Sequence, residues 1–465
     1  GAAIGPNAEE SLLLAGGLPW TRAAAAPTAA SPAAVTTSLA KLPIERVRLD
    51  NGLRVVLSPN RTVPTVAIAV YYDVGSRNEV KGRSGFAHLF EHMMFQGSDN
   101  VGKGDHFNLI MHRGGTLNGT TSTDRTNYFE TLPAGELALG LWLEADRMRS
   151  LSVTAENFEN QRQTVMEERR QSYDNQPYMQ SMLRINELAY GDYWPYAHST
   201  IGDMRDLKRA PLSAVQAFFR QYYLPNNAVL SIAGDFEPQA AMALVKRYFG
   251  AIAPGKVPLF DVADPAPQRR EKVASMRDPI AELPAFHMAY HIPRSRHRDH
   301  YALELLAMIL GDGESSRLYQ DLVKKREICQ EISVGTDDRR GPDLFSVWAI
   351  LASGKSVKDA RQRVDASIRN VQEQGVSARE LEKAKNRVRA AFIFGLQSNL
   401  SRAMQLAEFE LYWQDARLLR EEVKYYMQVS ATDVQRVAKR YLKVENRTVL
   451  DVLPAKGGAR SKGRN

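Results

Sequence analysis

The chain has 465 residues, with 61 Lys and Arg against 53 Asp and Glu, a formal charge of +8 and a pI near 9.3. Hydrophobic residues at 44% and charged residues at 25% are ordinary globular values, which excludes wholesale disorder, and the length fits about two to four domains. No run of about 18 apolar residues marks a membrane-spanning helix, and the single cysteine, Cys329, excludes an internal disulfide and a cysteine-based zinc ribbon.

Along the chain, residues 23–40 are a low-complexity run of Ala, Pro, Ser and Thr, so 1–41 reads as a flexible tail. Such tethers often follow cleaved export signals, and a periplasmic location is the expectation, with cytoplasm or an organelle matrix as alternatives. The Leu12–Trp20 patch is too short to span a membrane, and Glu9 and Glu10 precede it where an export signal carries Lys or Arg. Order is expected from Leu42. Residues 46–49 and 53–58 flank Asp50-Asn51-Gly52, a hairpin signal, and 65–76 reads as a third strand. Helical patterns follow near 84–96, 103–113, 134–149, 154–173, 177–190 and 212–223. A strand at 227–235 and a helix at 237–249 close a first half, residues 42–253. Residues 254–274, with four prolines before position 270, read as a linker.

The second half, 275–455, repeats this grammar. A strand at 285–293 precedes helices over His300–Leu310 and Ser315–Lys325. Strands at 331–338 and 344–353, helices at 356–374 and 377–398, and a strand at 448–455 follow. The expected fold class is α+β, with two homologous halves produced by duplication, each a largely antiparallel sheet covered by helices. The last ten residues, 456–465, carry four basic residues and no acid, and read as a disordered basic tail. Half of the net charge therefore lies in that tail. Between Gly85 and Gln180 there are 13 acidic and 8 basic residues, and no basic stripe with interleaved aromatics occurs, so a nucleic-acid partner is not expected.

The chemistry concentrates in Gly85-Phe86-Ala87-His88-Leu89-Phe90-Glu91-His92. Ser84 is the expected N-cap of a helix here. His88 and His92 are then one turn apart on one face and can both reach one zinc ion, while Glu91 lies on the same side as a base toward a water on that ion. A coincidental pattern on an amphipathic helix is the bland alternative. Two imidazoles and a carboxylate would then sit in strongly apolar surroundings without a metal, at high cost. A third ligand should come from another helix, where Glu167 and Glu168 are both offered and spacing alone does not choose. His106, His112 and His198 have no ligand-spaced partner and read as surface or capping residues. His291, His297 and His300 sit among arginines and read as solvated. Cys329 reads as a small buried hydrophobe.

The His-x-x-Glu-His string, with GRSGFAHLFEHMMFQGS around it and GGTLNGTTSTDRTNYFETLP at 114–133, resembles the pitrilysin/insulysin family of zinc endopeptidases (inverzincins). The subgroup it looks most like is the mitochondrial processing peptidase β-subunit and its short bacterial relatives, over residues 44–455. The resemblance implies one Zn2+ per chain held by His88, His92 and a helical glutamate 76 to 77 residues beyond His92; a count of 76 reaches Glu168, with Glu167 the alternative. It implies Glu91 as catalytic base. It places Asn118, Gly119, Thr120, Thr121 and Ser122 on an exposed edge strand that takes an extended peptide substrate. Gly119 stands where the family commonly has Ala, and Gln161 where it usually has an acid, so an ionisable role at 161 is lost.

With the halves aligned through Gly97 and Gly311, Ala302, Leu305 and Leu306 fall opposite His88, Glu91 and His92, so no second metal site is expected. One-chain family members carry an Arg and a Tyr, seven residues apart, in this half. Here Val323 and Gln330 occupy those places. The resemblance therefore implies half of a clamshell, a zinc endopeptidase subunit whose homologous partner lacks His-x-x-Glu-His and supplies Arg and Tyr as a heterodimer. A weak stand-alone or homodimeric enzyme, with Arg326 or another residue substituting, is one alternative. An inactive assembly subunit of the same fold is another, and a basic nucleic-acid or membrane-surface binder is a third.

Overall fold

The computed structural model describes residues 41–258 and 264–455. The expected tails lie outside these residues, apart from position 41, as does the middle of the expected linker. Among the described residues, eleven strands form two sheets. The first half contributes β1 (Glu45–Arg48), β2 (Arg54–Pro59), β3 (Thr65–Tyr72), β4 (Thr116–Thr121), β5 (Thr126–Pro133) and β6 (Ala228–Gly234). The second contributes β7 (Lys272–Asp278), β8 (Ala285–Ile292), β9 (Cys329–Thr336), β10 (Asp343–Leu351) and β11 (Arg447–Pro454).

The strand orders are β1-β2-β6-β3-β5-β4 and β7-β11-β8-β10-β9. Without β1 the two orders map onto each other strand for strand, including one parallel pair in each, β2 with β6 and β7 with β11. All other neighbours are antiparallel. The fold is thus α+β, with two sheet-plus-helix halves of one topology. Both β4 and β9 end as sheet edges.

Continuous apolar runs explain the first strands. Val55, Val56 and Leu57 are fully buried on β2, and residues Val66–Tyr72 of the central β3 are buried on both faces. One face of the first sheet packs under its own helices around Phe86, Phe90 and Tyr128. The other face is covered by a helix of the second half, Asn399–Trp413, which lies on β2, β3, β5 and β6. The helix Met179–Tyr190, from the first half, lies in turn on β7, β8 and β11. Each half therefore lends a helix to the other's sheet.

Several local expectations change. The strand expected at 65–76 stops at Tyr72. The expected linker overlaps β7, which begins at Lys272, because that segment adds to the sheet edge beside β11. Strands β4 and β5 are rich in Thr and Asn and carry no clear apolar alternation, so periodicity did not mark them. The helix expected over Ser315–Lys325 is a wide π-type turn at Tyr319–Lys325. A second such turn, Arg170–Asp174, ends the helix expected over 154–173, which runs regularly only from Ala155 to Arg169. Among the described residues no helix is long and apolar enough to cross a membrane.

Candidate metal and catalytic site

The helix Phe86–Met93 carries the motif. Its N-cap is Gly85, not Ser84 as expected: Gly85 adopts φ +89°, and the Ser84 hydroxyl is turned away to donate to Asp206 (2.7 Å). The orphan amides go instead to a buried carboxylate, Glu79, which accepts from Gly85 N (2.9 Å) and Ala87 N (2.8 Å). The opposite end is held by Tyr128 Oη, which donates to the Phe90 carbonyl (2.9 Å), and by Asn157 Nδ2, which donates to the Gln96 carbonyl (3.2 Å). The helix is therefore fixed from β5 and from the Ala155–Arg169 helix.

That second helix points Glu168 at the motif. Glu168 Oε1 lies 3.5 Å from His88 Nε2, and Oε2 lies 3.1 Å from His92 Nε2. One donor atom from each of the three residues falls within 4.8 Å of the others. Glu167 projects away and is exposed, bonded to Arg170 (2.7 Å) and Gln171 (3.0 Å). Helical geometry separates adjacent residues by about 100°, so only one of the pair can face the histidines. Burial disfavours the His92 imidazolium, yet the Glu168 carboxylate, then Glu91 and Gln161, outweigh it and raise the His92 pKa. Burial pushes the Glu168 carboxyl up, and the charges of His88 and His92 pull it below its ordinary value. Two imidazole nitrogens that share one carboxylate need a cation or a proton between them. The N, N, O donor set fits zinc, which takes three protein ligands and leaves a fourth position for water in catalytic sites.

Glu91 is half-buried and stands beside this set. Its Oε2 accepts a hydrogen bond from Thr121 Oγ1 (2.7 Å). Strand β4 runs past the helix here, and a Cβ at Gly119 would stand 3.2 Å from Glu91 Cγ and 3.0 Å from the Tyr128 ring. Asn118 is exposed, while Gly119 and Thr120 are buried. The side chains expected to meet substrate are largely engaged within the strand and its turn. Asn118 Oδ1 accepts from Gly119 N (2.8 Å), Thr120 Oγ1 meets Asn127 and Arg125, and Ser122 Oγ accepts from Asp124 N and Arg125 N (both 3.2 Å). What β4 offers is its unpaired backbone edge, since it is bonded only to β5.

In the second half, Ala302, Leu305 and Leu306 are buried in the core. Val323 is half-buried, and Gln330 is exposed on β9. Arg326 pairs with Asp321 (2.9 Å). Three histidine expectations need correction. His106 is buried, 3.6 Å from Glu130, because its short helix faces inward at that position. His300 is also buried rather than solvated, between Asp343 (3.0 Å) and Glu304 (3.3 Å). His291 is half-buried with Nε2 3.1 Å from the Ala189 carbonyl. His198 touches Glu79 Oε2 (3.1 Å) and so supports the cap of the motif helix. Cys329 is buried, which pushes its thiol up to about 11. The sequence analysis did not single out Glu79, whose only signal is an acidic residue six positions before the N-cap Gly85.

Comparisons with known proteins find relatives over most of the chain. The insulinase (peptidase family M16) profile matches residues 54–192, and the peptidase M16 inactive domain profile matches 210–388. A Helicobacter pylori protein, zinc protease PqqE, is 31% identical over 418 residues, 88% of this chain and 93% of that one. A probable mitochondrial-processing peptidase β-subunit of Arabidopsis thaliana is 23% identical over 405 residues, 85% of this chain and 75% of that one. The crystal structure of a protease from Helicobacter pylori superposes with a TM-score of 0.85 at 29% identity, over 89% of this chain and 100% of that one.

Proposed function

The chain belongs to the M16 family of peptidases, and on that premise we propose that it is a zinc-dependent endopeptidase catalytic subunit acting on peptides or unfolded polypeptides. The observation that carries this reading is the convergence of His88, His92 and Glu168 beside Glu91, under a free sheet edge. His88, His92 and Glu168 would hold one zinc ion. When bound, such an ion acidifies a water and polarises the scissile carbonyl. Glu91 takes the proton of the attacking water and returns it to the leaving amine. The Thr121 hydroxyl holds one Glu91 oxygen and leaves the other for that transfer. The edge of β4 receives the substrate as an added strand, through its backbone and largely independent of sequence.

Val323 offers no donor and Gln330 only a neutral amide, so the charge stabilisation an Arg and Tyr pair would give an oxyanion is missing at these positions. A homologous partner lacking His-x-x-Glu-His supplies that pair in this reading, and the two chains close as a clamshell. The same gap favours a second reading, an inactive assembly subunit of the same fold. Periplasmic location belongs to the proposal and rests on the Ala/Pro-rich run at 23–40.

One experiment separates the readings. Protein purified without chelators is assayed for zinc and for cleavage of a quenched fluorescent peptide, alone and with the homologous partner. The expected result is one zinc per chain, weak cleavage alone and strong cleavage with the partner. Glu168→Gln loses the zinc, whereas Glu167→Gln keeps it. Absence of stoichiometric zinc from the parent chain favours the assembly reading.

A further inference from the structure

The β4–β5 turn, Ser122–Arg125, meets its counterpart from the second half, the β9–β10 connection. Asp124 lies between them and is 4% exposed. Its Oδ1 accepts from Arg77 Nη1 (3.1 Å) and Tyr196 Oη (2.8 Å), and its Oδ2 accepts from the backbone amide of Arg340 (3.0 Å). The Tyr196 oxygen in turn accepts from Gly341 N (2.8 Å), and Arg340 Nη1 reaches Asp73 (2.7 Å). Glycines stand at two of the close approaches around this joint. A Cβ at Gly341 would stand 2.4 Å from Tyr196 Oη, and one at Gly75 would stand 2.4 Å from the Thr123 carbonyl. Arg125, next in the turn, folds back along the strand and donates to the Thr120 carbonyl (3.1 Å). Thr121, the next residue, holds Glu91.

We propose that the clamp on Asp124, made by Arg77 and Tyr196 of the first half and the Arg340 amide of the second, is a positioning device that holds the β4–β5 turn, and with it strand β4, against the motif helix. This rests on the peptidase reading only for its catalytic consequence. Three donors converge on one buried carboxylate: without the Arg340 amide Oδ2 is unpaired, and without the Tyr196 hydroxyl the Gly341 amide is unpaired. An edge strand is bonded on one side alone, so its register depends on its turn. With the turn pinned, β4 keeps its free edge straight and Thr121 stays within reach of Glu91. Tyr196 and Asp124 are positioning residues, since neither touches the metal set or the reacting atoms.

Tyr196→Phe removes one donor and leaves Gly341 N without its acceptor. Asp124→Asn puts an amide donor against donors. Both variants of the full chain are examined by hydrogen exchange, zinc content and peptide cleavage with the partner present. The expected result is exchange at least tenfold faster across Thr116–Thr121, with exchange in β2 and β3 unchanged and zinc content kept. In cleavage, kcat/KM falls at least tenfold, through both kcat and KM, well below the unfolding temperature. Asp124→Asn is the harsher change; if it does not fold, Tyr196→Phe decides. Exchange across β4 within twofold of the parent overturns the clamp. A parent chain that cleaves nothing sinks the peptidase reading, while the exchange result still judges the clamp.

Discussion

At the scale of single residues, the proposed function assigns His88, His92 and Glu168 to the metal and Glu91 to the base. Glu91 makes no contact that would make it a ligand, and it is held by Thr121. Glu91→Gln therefore keeps zinc and loses turnover by about 10²–10⁴-fold, the usual share of a general base; turnover near the parent value, with partner present and zinc bound, would refute the role. A second carboxylate carries a pH signature. Glu130 is buried without a hydrogen-bond partner for either oxygen, and burial pushes its carboxyl up to about 7, opposed by the charge of Arg147. The folded chain then binds a proton at Glu130 that the unfolded chain, near 4.5, has lost. By linkage its contribution to stability falls as pH rises from 4.5 to 7 and is level above that window. Glu130→Gln flattens this slope, by about 1–3 kcal/mol across the window. Urea unfolding of parent and variant at pH 5 and pH 8 measures it, and parallel slopes would contradict the assignment.

At the scale of elements, the motif helix is short, eight residues, and gains little from propensity. Its N-terminus depends on Glu79, which is buried and accepts two backbone amides. Glu79→Ala leaves both amides unpaired, and stability should drop by about 1–3 kcal/mol. Zinc should bind more weakly in the same variant, because His88 lies one turn from the frayed end. Isothermal titration with zinc and urea midpoints test both, and an unchanged midpoint would remove Glu79 from the account. Ser84 looked like the cap because Ser commonly fills that place. The positive φ of Gly85 and the Asp206 contact redirected it. Strand β4 was legible only through the family resemblance, since a Thr/Asn/Gly strand at a sheet edge has no apolar face to announce it.

At the scale of the molecule, the two halves share a topology but not independence. Val56, Ala67, Ala69, Tyr71 and Val229 of the first sheet share one core with Ala403, Leu406 and Leu411 of the second half. Arg46 Nε and Nη2 bind both oxygens of Glu410 (2.6 and 2.9 Å) across the same joint. Residues 41–258 expressed alone would expose this face, so calorimetry should show no cooperative transition for that piece and a single dominant one for the full chain. A stable, cooperatively unfolding fragment would show that the exchanged helices are dispensable.

The sequence by itself determined the duplicated α+β grammar, through apolar periods in β2, β3, β6 and the long helices. It also shows the His-x-x-Glu-His string, whose helical spacing alone brings His88, Glu91 and His92 to one side. Those features are local: they follow from a few residues of one element. Tertiary structure brings Glu168 rather than Glu167 to the two histidines, since that depends on which face of one helix meets another. It decided that His106 and His300 are buried among carboxylates, that a helix from each half covers the other's sheet, and that Asp124 ties the β4–β5 turn to the second half. Each of these joins residues far apart in the chain, and no periodicity or spacing within a segment records such a contact.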